Sequence, residues 1–179
     1  MSAMKLFVFA LSAFSILTGC QLLKPKNNGN LNTVTVHGTV HVPYCGGAKP
    51  SPDVAAGYYE SMKHEKFKVL KGTELKEGME VYKEVSLDVG GNATLEMESG
   101  EYIFVQADKF LSLEEFMKMN GPVEEENFAV KESECFENWK NTVDFYLKVE
   151  HDTIVEFRKK ARCWVGTNPC LEYTGPPAP

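Results

Sequence analysis

Between positions 34 and 42 the chain alternates without a break. Val34, Val36, Gly38, Val40 and Val42 fall on one face, while Thr35, His37, Thr39 and His41 fall on the other. A period of two in β-branched residues cannot gather its apolar side on one face of a helix, so it predicts a half-buried strand with the valines inward. Pro43 ends it, because proline has no N–H to give to a ladder. Further strands are predicted over Phe67–Leu70, Val81–Val89, Thr94–Met97, Tyr102–Ala107, Val143–Val149 and Thr153–Val165. In Val143–Val149 the inward set is Val143, Phe145, Leu147 and Val149. Gly90-Gly91-Asn92, Ser99-Gly100 and His151-Asp152 supply the residues that tolerate tight reversal between them. The expected fold is mainly β, an antiparallel β-sandwich of about seven strands, since strands of a parallel sheet would be continuously apolar.

One helix is well marked. Ser112-Leu113-Glu114-Glu115 has the form of a capping box, with Ser112 as N-cap and Glu115 reaching back. Leu111 and Phe116 occupy the positions of a hydrophobic staple, and Gly121-Pro122 stops the helix, which is expected over Leu113–Asn120 as a lid on one end of the sandwich. A second, weaker helix is expected over Pro52–Met62, with Ser51 as N-cap and Gly57 counting against it.

The N-terminus bears on the address. A start with one positive charge, Met1–Lys5, precedes the apolar stretch Leu6–Ile16, too short to span a bilayer but fitting the apolar region of a secretory signal. Leu17-Thr18-Gly19-Cys20 follows, and it resembles the lipobox of bacterial lipoproteins, in which the cysteine is acylated and becomes the new N-terminus. The resemblance implies a membrane-anchored chain, with Gln21 favouring the outer membrane over the inner. Several acyl chains on one cysteine hold stably, at roughly 0.8 kcal/mol per buried methylene. Gln21–Thr33, rich in Asn, Lys, Gly and Pro, reads as a flexible tether with a reach of about 20 Å. The expected order is therefore signal peptide (1–19), lipidated Cys20 and tether (20–33), sandwich (34–170) and a Pro/Gly-rich tail (171–179). Removing residues 1–19, charged only at Lys5, takes the formal net charge from −6 to −7. Such an acidic balance argues against a nucleic-acid partner, which needs a basic field.

Val81–Ala107 resembles the hairpin core of the carboxypeptidase-regulatory-like, or transthyretin-like, β-sandwich family. Asp88 and Gly91 stand at its turn, Gly100 and Tyr102 at its Gly-x-Tyr strand entry, and Gly38-Thr39-Val40 at its opening Gly-x-Val. The insertion Tyr44–Lys66 and the closing Asn168-Pro169-Cys170 and Tyr173–Pro176 resemble a group of uncharacterised lipoproteins from Gram-negative bacteria. The resemblance implies an architecture that serves as a binding or accessory module, and a fold alone does not name a function.

With Cys20 acylated, Cys45, Cys135, Cys163 and Cys170 remain, an even count that predicts two disulfides in an exported chain. Three pairings are possible. Cys135–Cys163 with Cys45–Cys170 is preferred, because it would brace the last hairpin and pin the tail to the Gly46-Gly47 loop. A Cys163–Cys170 bridge, closing a small local loop, stays open. A thiolate metal site is disfavoured by the absence of CxxC pairs. His37 and His41 lie four residues apart on one strand face, about 13 Å at 3.3 Å per residue, too far to share a zinc ion. His64 and His151 are isolated, and no metal or other cofactor is expected.

No GxSxG elbow, EF-hand spacing or P-loop is present. Glu124-Glu125-Glu126 reads as a solvated charge run, so no catalytic residue is assigned and an enzyme is not expected. Tyr44, Tyr58 and Tyr59 gather near the inserted loop as binding candidates, with packing into the core as the favoured alternative. Trp139 and Cys163-Trp164 are expected in the core near the disulfides. Asp152-Thr153-Ile154 looks like a short acceptor motif for periplasmic O-glycosylation. The functional expectation is a lipid-anchored, non-enzymatic module that binds or helps assemble another envelope component. The alternative is a small-ligand carrier (metal, sugar or peptide) using the 44–66 insertion.

Overall fold

The computed structural model describes residues 31–47, 49–120, 127–131 and 133–176. The signal, Cys20 and nearly all of the expected tether therefore lie outside the described residues, as do the Gly121-Pro122 stop and Glu124–Glu126.

Two four-stranded sheets face each other. The first is built on β1 (Asn32–Val42), flanked on one side by β9 (Thr153–Lys160) and on the other by β5 (Asn92–Met97) and then β2 (Tyr58–Ser61). The second runs β4 (Val81–Ser86), β3 (Lys66–Lys71), β6 (Gly100–Gln106), β8 (Phe145–Val149). All the strands expected from the sequence are present, although β4 stops at Ser86 short of Val89 and β9 at Lys160 short of Val165, and the fold is a mainly β sandwich dominated by antiparallel ladders. The exception is β1–β9, which is parallel from Val34↔Thr153 to His41↔Lys160. The turn after β8 carries the chain across to the first sheet, and Asp152 Oδ1 accepts the Thr33 N–H at 2.8 Å where β9 begins.

The alternation of β1 is realised from Val34 to Gly38, whereas Thr39, Val40, His41 and Val42 are all half-buried. Val34 and Val36 are fully buried and His37 is exposed. Between the sheets, Phe67, Phe104, Phe145 and Phe157 form an aromatic cluster, with Phe145 stacked on Phe157 at 4.0 Å between centroids. Strand β6 is buried on both faces, because Ile103 and Val105 turn outward onto a second cluster with Leu70. Val143, expected inward with Phe145, packs on that outer cluster instead. Tyr102 stands at the start of this strand, and its hydroxyl donates back to the Glu98 carbonyl at 2.9 Å, closing the β5–β6 turn.

Halfway along β1 the ladder changes partner, from Asn92 opposite His37 to Ser61 opposite Thr39. Gly91 makes that junction possible. Its φ is +78°, and a Cβ there would lie 2.5 Å from the Gly38 carbonyl oxygen. Asp88 shapes the turn by accepting the N–H groups of Gly90 and Asn92 on Oδ1, both at 2.8 Å.

The helix expected over Pro52–Met62 is corrected to a single turn, α1 (Pro52–Ala55), followed by β2. Gly57 breaks it with φ +71°, and Ser51 stands at the N-cap without a side-chain cap bond. Helix α2 (Leu113–Asn120) begins with the expected box: Glu115 N–H donates to Ser112 Oγ at 3.2 Å, and Ser112 N–H to Glu115 Oε2 at 2.9 Å. It packs against α3 (Ser133–Lys140), an element not expected, through Phe116, Phe136 and Trp139.

Two boundaries move. Asn32 and Thr33, expected in the tether, already pair with Met97 and Glu96 of β5. Leu171–Tyr173, expected in the tail, form β10 and pair with β7 (Phe128–Val130), with Leu171 buried.

Candidate functional site

The sandwich has two unlike poles. At the pole where the described chain begins, Asn32 Nδ2 donates to Ser99 Oγ at 3.1 Å and Thr33 bonds Asp152. Strand β1 then runs roughly 33 Å, at 3.3 Å per residue, to Val42 and Cys45 at the other pole. Cys45 is bonded to Cys163, and Cys135 to Cys170, with Cα–Cα distances of 5.4 and 5.7 Å. Two disulfides form as expected, but the preferred pairing is overturned, as is the local Cys163–Cys170 bridge. Because β9 runs parallel to β1, its C-terminal end, and with it Cys163, arrives beside Cys45 rather than beside Cys135.

The same pole holds a cleft of about 310 Å³. One wall is the turn Lys63–Lys66 with Gln106 of β6, and the other brings Met119 of α2, Trp139 of α3 and Asn168 together. Lys159 ties this wall to the end of β1. It lies opposite Val40, and its ammonium donates to Gln106 Oε1 at 2.8 Å and stands 3.8 Å from Glu65.

Behind the wall lies a buried charge network. Lys109, with only 2% of its side chain exposed, donates to Asp144 Oδ2 (3.0 Å), to the Thr142 carbonyl (2.9 Å) and to Thr142 Oγ1 (2.8 Å). Asp144 also accepts the Gln106 backbone N–H at 2.7 Å and stands 3.9 Å from Lys159. Gln106 Nε2 donates to Glu65 at 3.0 Å. Burial pushes the Lys109 ammonium below its usual range while Asp144 pulls it back. Burial likewise pushes the Glu65 carboxyl up, against the pull of Lys159 and with the help of Asp108 and Asp144. Every charge here has a counter-charge or a hydrogen bond, as buried charges require. The network's physical effect is to hold Glu65 and Gln106 rigidly as one side of the cleft.

The opposite side is fixed from the chain's end. Arg162 donates to the carbonyls of Asn168 (2.6 Å) and Leu171 (2.7 Å), and Asn168 Oδ1 accepts the Cys170 N–H at 3.0 Å. Asn168 Nδ2 is buried with no hydrogen-bond partner among the described residues.

The residues singled out by sequence fall elsewhere. Tyr58 and Tyr59 are 57% and 64% exposed on the edge strand β2, so their packing into the core is overturned. The Tyr58 hydroxyl is raised in pKa, first by its hydrogen bond to Glu60. Tyr44 is half-buried beside the Cys45–Cys163 bridge and does not line the cleft. His37 Nδ1 donates to Asn92 Oδ1 at 2.5 Å, and His41 Nε2 to the Ala56 carbonyl at 2.8 Å, so each histidine has its own partner. Among the described residues no group of three or more His, Cys, Asp or Glu could hold a metal ion. Trp139 packs beside the Cys135–Cys170 bridge as expected. Trp164 does not: it is 48% exposed, has φ +63°, and lies against Tyr173 at 4.5 Å. Thr153 of the proposed glycosylation motif is half-buried opposite Val34, with Ile154 beside it exposed.

Sequence reasoning missed Lys109, Asp144 and Asn168. Lys109 follows a strand that is apolar without alternation, a signal that this strand is covered on both faces and that the next turn is also buried.

The fold and site define a disulfide-braced β-sandwich with a polar cleft at one pole. Comparisons with protein-family models, with curated proteins and with solved structures return no match.

Proposed function

We propose that this chain is an exported lipoprotein, acylated at Cys20 and anchored at the outer membrane, that presents a non-enzymatic binding module to another envelope component. The likeness of its turns to the transthyretin-like family is part of the same reading. The observation that carries it is the polarity of the sandwich. The tether joins at the Asn32 pole, while the cleft and both disulfides lie at the opposite pole, roughly a strand's length away. A module leashed at one end and braced at the other offers its braced end to whatever the envelope contains. Two disulfides linking distant segments also suit an oxidising compartment.

The carrier reading is favoured by one feature: Lys63, His64, Glu65 and Lys66, at the end of the 44–66 insertion, line the cleft. Two measurements test the proposal. Mass spectrometry of the mature chain is expected to find an acylated N-terminal cysteine; a free, unmodified N-terminus refutes the anchor. Crosslinking in intact envelopes from position 63 or 66 is expected to capture a partner that a probe at position 99 does not. Equal capture from both poles refutes the polarity argument.

A further inference from the structure

The two open sides of the sandwich are not alike. On one side β4 and β5 are the outer strands, and Lys83 of β4 reaches across to donate to the Glu96 carbonyl of β5 at 2.7 Å. A lysine laid on an edge is one way a sheet avoids pairing with another. On the other side β8 and β9 are the outer strands, joined by the turn 150–152. Among the described residues β9 pairs with β1 alone, and it is eight residues long. The Ala161 N–H donates to the His41 carbonyl of β1 at 2.9 Å. Backbone groups alternate in direction along a strand, so the odd residues of β9 bond β1. Ile154, Glu156, Arg158 and Lys160 therefore turn their N–H and C=O groups to the open side. Lys159, the one charge that β9 points inward, is held by Gln106 and Glu65 and leaves that edge clear.

The charges along the edge say what fits it. Two antiparallel copies of β9 centred on Phe157 set Glu156 of each opposite Arg158 of the other, and Ile154 opposite Lys160. All four are residues whose backbone groups face the open side, so each makes a hydrogen-bonded pair. Centring on position 156 sets Glu156 against its own copy, and centring on 158 does the same to Arg158. Opposite charges directly across a ladder stabilise it, and like charges destabilise it. Within one chain Glu156 and Arg158 already form an ion pair, with 59% and 64% of their side chains exposed, so both are free to re-form it across the edge. Ile154, at 71%, is the most exposed large hydrophobic side chain among the described residues. In this register the aliphatic stem of Lys160 from the second copy covers it.

We infer that β9 is a self-association edge: two copies of this chain pair β9 to β9, antiparallel about Phe157, and join their four-stranded sheets into one of eight strands. The contact uses the same patch on both copies, so it closes as a dimer and leaves neither β9 edge open. None of the residues lining the cleft belongs to β9, so both clefts stay accessible. The inference goes beyond the binding-module reading and does not depend on the anchor or on what the cleft binds.

The test has two arms. The first uses the mature chain in density-matched detergent micelles, followed by sedimentation equilibrium. The wild-type chain is expected to sediment as a dimer. Glu156→Arg and Arg158→Glu each set like charges opposite one another twice, and each is expected to weaken association about tenfold. Mixing the two variants makes the charges of one chain complement those of the other, and is expected to restore the dimer. Both positions are exposed, so the circular dichroism of each variant should match that of the wild type. A wild-type monomer, variants that associate as well as the wild type, or a mixture that does not recover overturns the inference. The second arm reads the register in intact envelopes. Full-length chains carrying Ile154→Cys, co-expressed with chains carrying Lys160→Cys, are expected to form a covalent dimer. A hydrogen-bonded pair holds its Cα atoms about 5.5 Å apart, within the reach of a disulfide. Ile154→Cys alone is expected to form none, because the two copies of position 154 lie about 20 Å apart along the ladder. No dimer from the pair, or as much from Ile154→Cys alone, overturns the inference as well.

Discussion

Asp144→Ala removes the one carboxylate among the described residues that contacts Lys109 and leaves an ammonium group with 2% of its side chain exposed. The two bonds to Thr142 remain, but they are neutral and do not replace the lost charge. The same change strips the Gln106 N–H of its acceptor and leaves Lys159 with Glu65 as its remaining carboxylate among the described residues. Breaking a buried pair from one side costs about 3–5 kcal/mol. Lys109→Met, by contrast, keeps the aliphatic stem beside Trp139 and leaves Asp144 with Gln106 and Lys159, so a loss of about 1–3 kcal/mol is expected. The double variant Lys109→Met/Asp144→Ala no longer strands a charge, and its cost should fall short of the sum by about 2 kcal/mol. Urea unfolding followed by circular dichroism, with both disulfides intact, measures all three. An Asp144→Ala cost below about 1 kcal/mol, or additive single costs, refutes the claim that these charges depend on each other. A pH series adds a check of sign. Lys109 has a folded pKa below its unfolded value of 10.5. The unfolded chain therefore binds more protons between the two values, and stability rises with pH across that window. The rise should be larger and span a wider pH window in Asp144→Ala, where the carboxylate no longer pulls the ammonium back.

Glu65 carries the opposite sign. Its folded pKa lies above 4.5, so its contribution is fully present below that pH and is lost as pH rises through the folded value. Glu65→Gln should therefore cost most near pH 4 and less near pH 7, and a cost that grows with pH would contradict the burial argument. Removing the Cys45–Cys163 bridge, which closes a separation of 118 residues, should cost about 5 kcal/mol in the chain-entropy model, against about 4 kcal/mol for Cys135–Cys170 at 35. Paired Cys→Ala variants in thermal unfolding give the order. Ser112→Ala empties the capping box of α2 and should cost about 1 kcal/mol, a Tm drop of about 2–4 °C; no change would mean that packing alone sets the helix start. Gly91→Ala places a methyl 2.5 Å from the Gly38 carbonyl in a left-handed backbone. It should destabilise by more than about 1 kcal/mol, and a neutral result would mean that the junction between β5 and β2 is looser than described.

The strand β1, its inward valines and outward threonines, the Asp88–Asn92 turn and the Ser112 cap were all legible in sequence, because each depends on residues within a few positions of one another. A period of two has one meaning in a ladder, and a hydroxyl three residues before a glutamate has its own partner at hand. The even cysteine count predicts two bridges for a similar reason: it needs no geometry.

Tertiary structure decided what depends on distant segments meeting. Thr153–Lys160 alternates because one of its faces is solvated, the pattern expected of an antiparallel strand, so its sequence pointed away from the parallel pairing with β1 that sets which cysteines meet. Tyr58–Ser61 became a strand rather than a helix because Gly57 turns the chain and β1 has an open edge once β5 ends at Asn92. Trp164 looked like core by residue type, yet it sits in a left-handed turn between Arg162 and Gly166 and faces partly outward. Lys109 and Asp144 are 35 residues apart in the chain and ordinary as surface residues; only the closing of the sandwich over them makes their charges answer one another. Desolvation and long-range contact belong to the folded whole, and no local pattern records them.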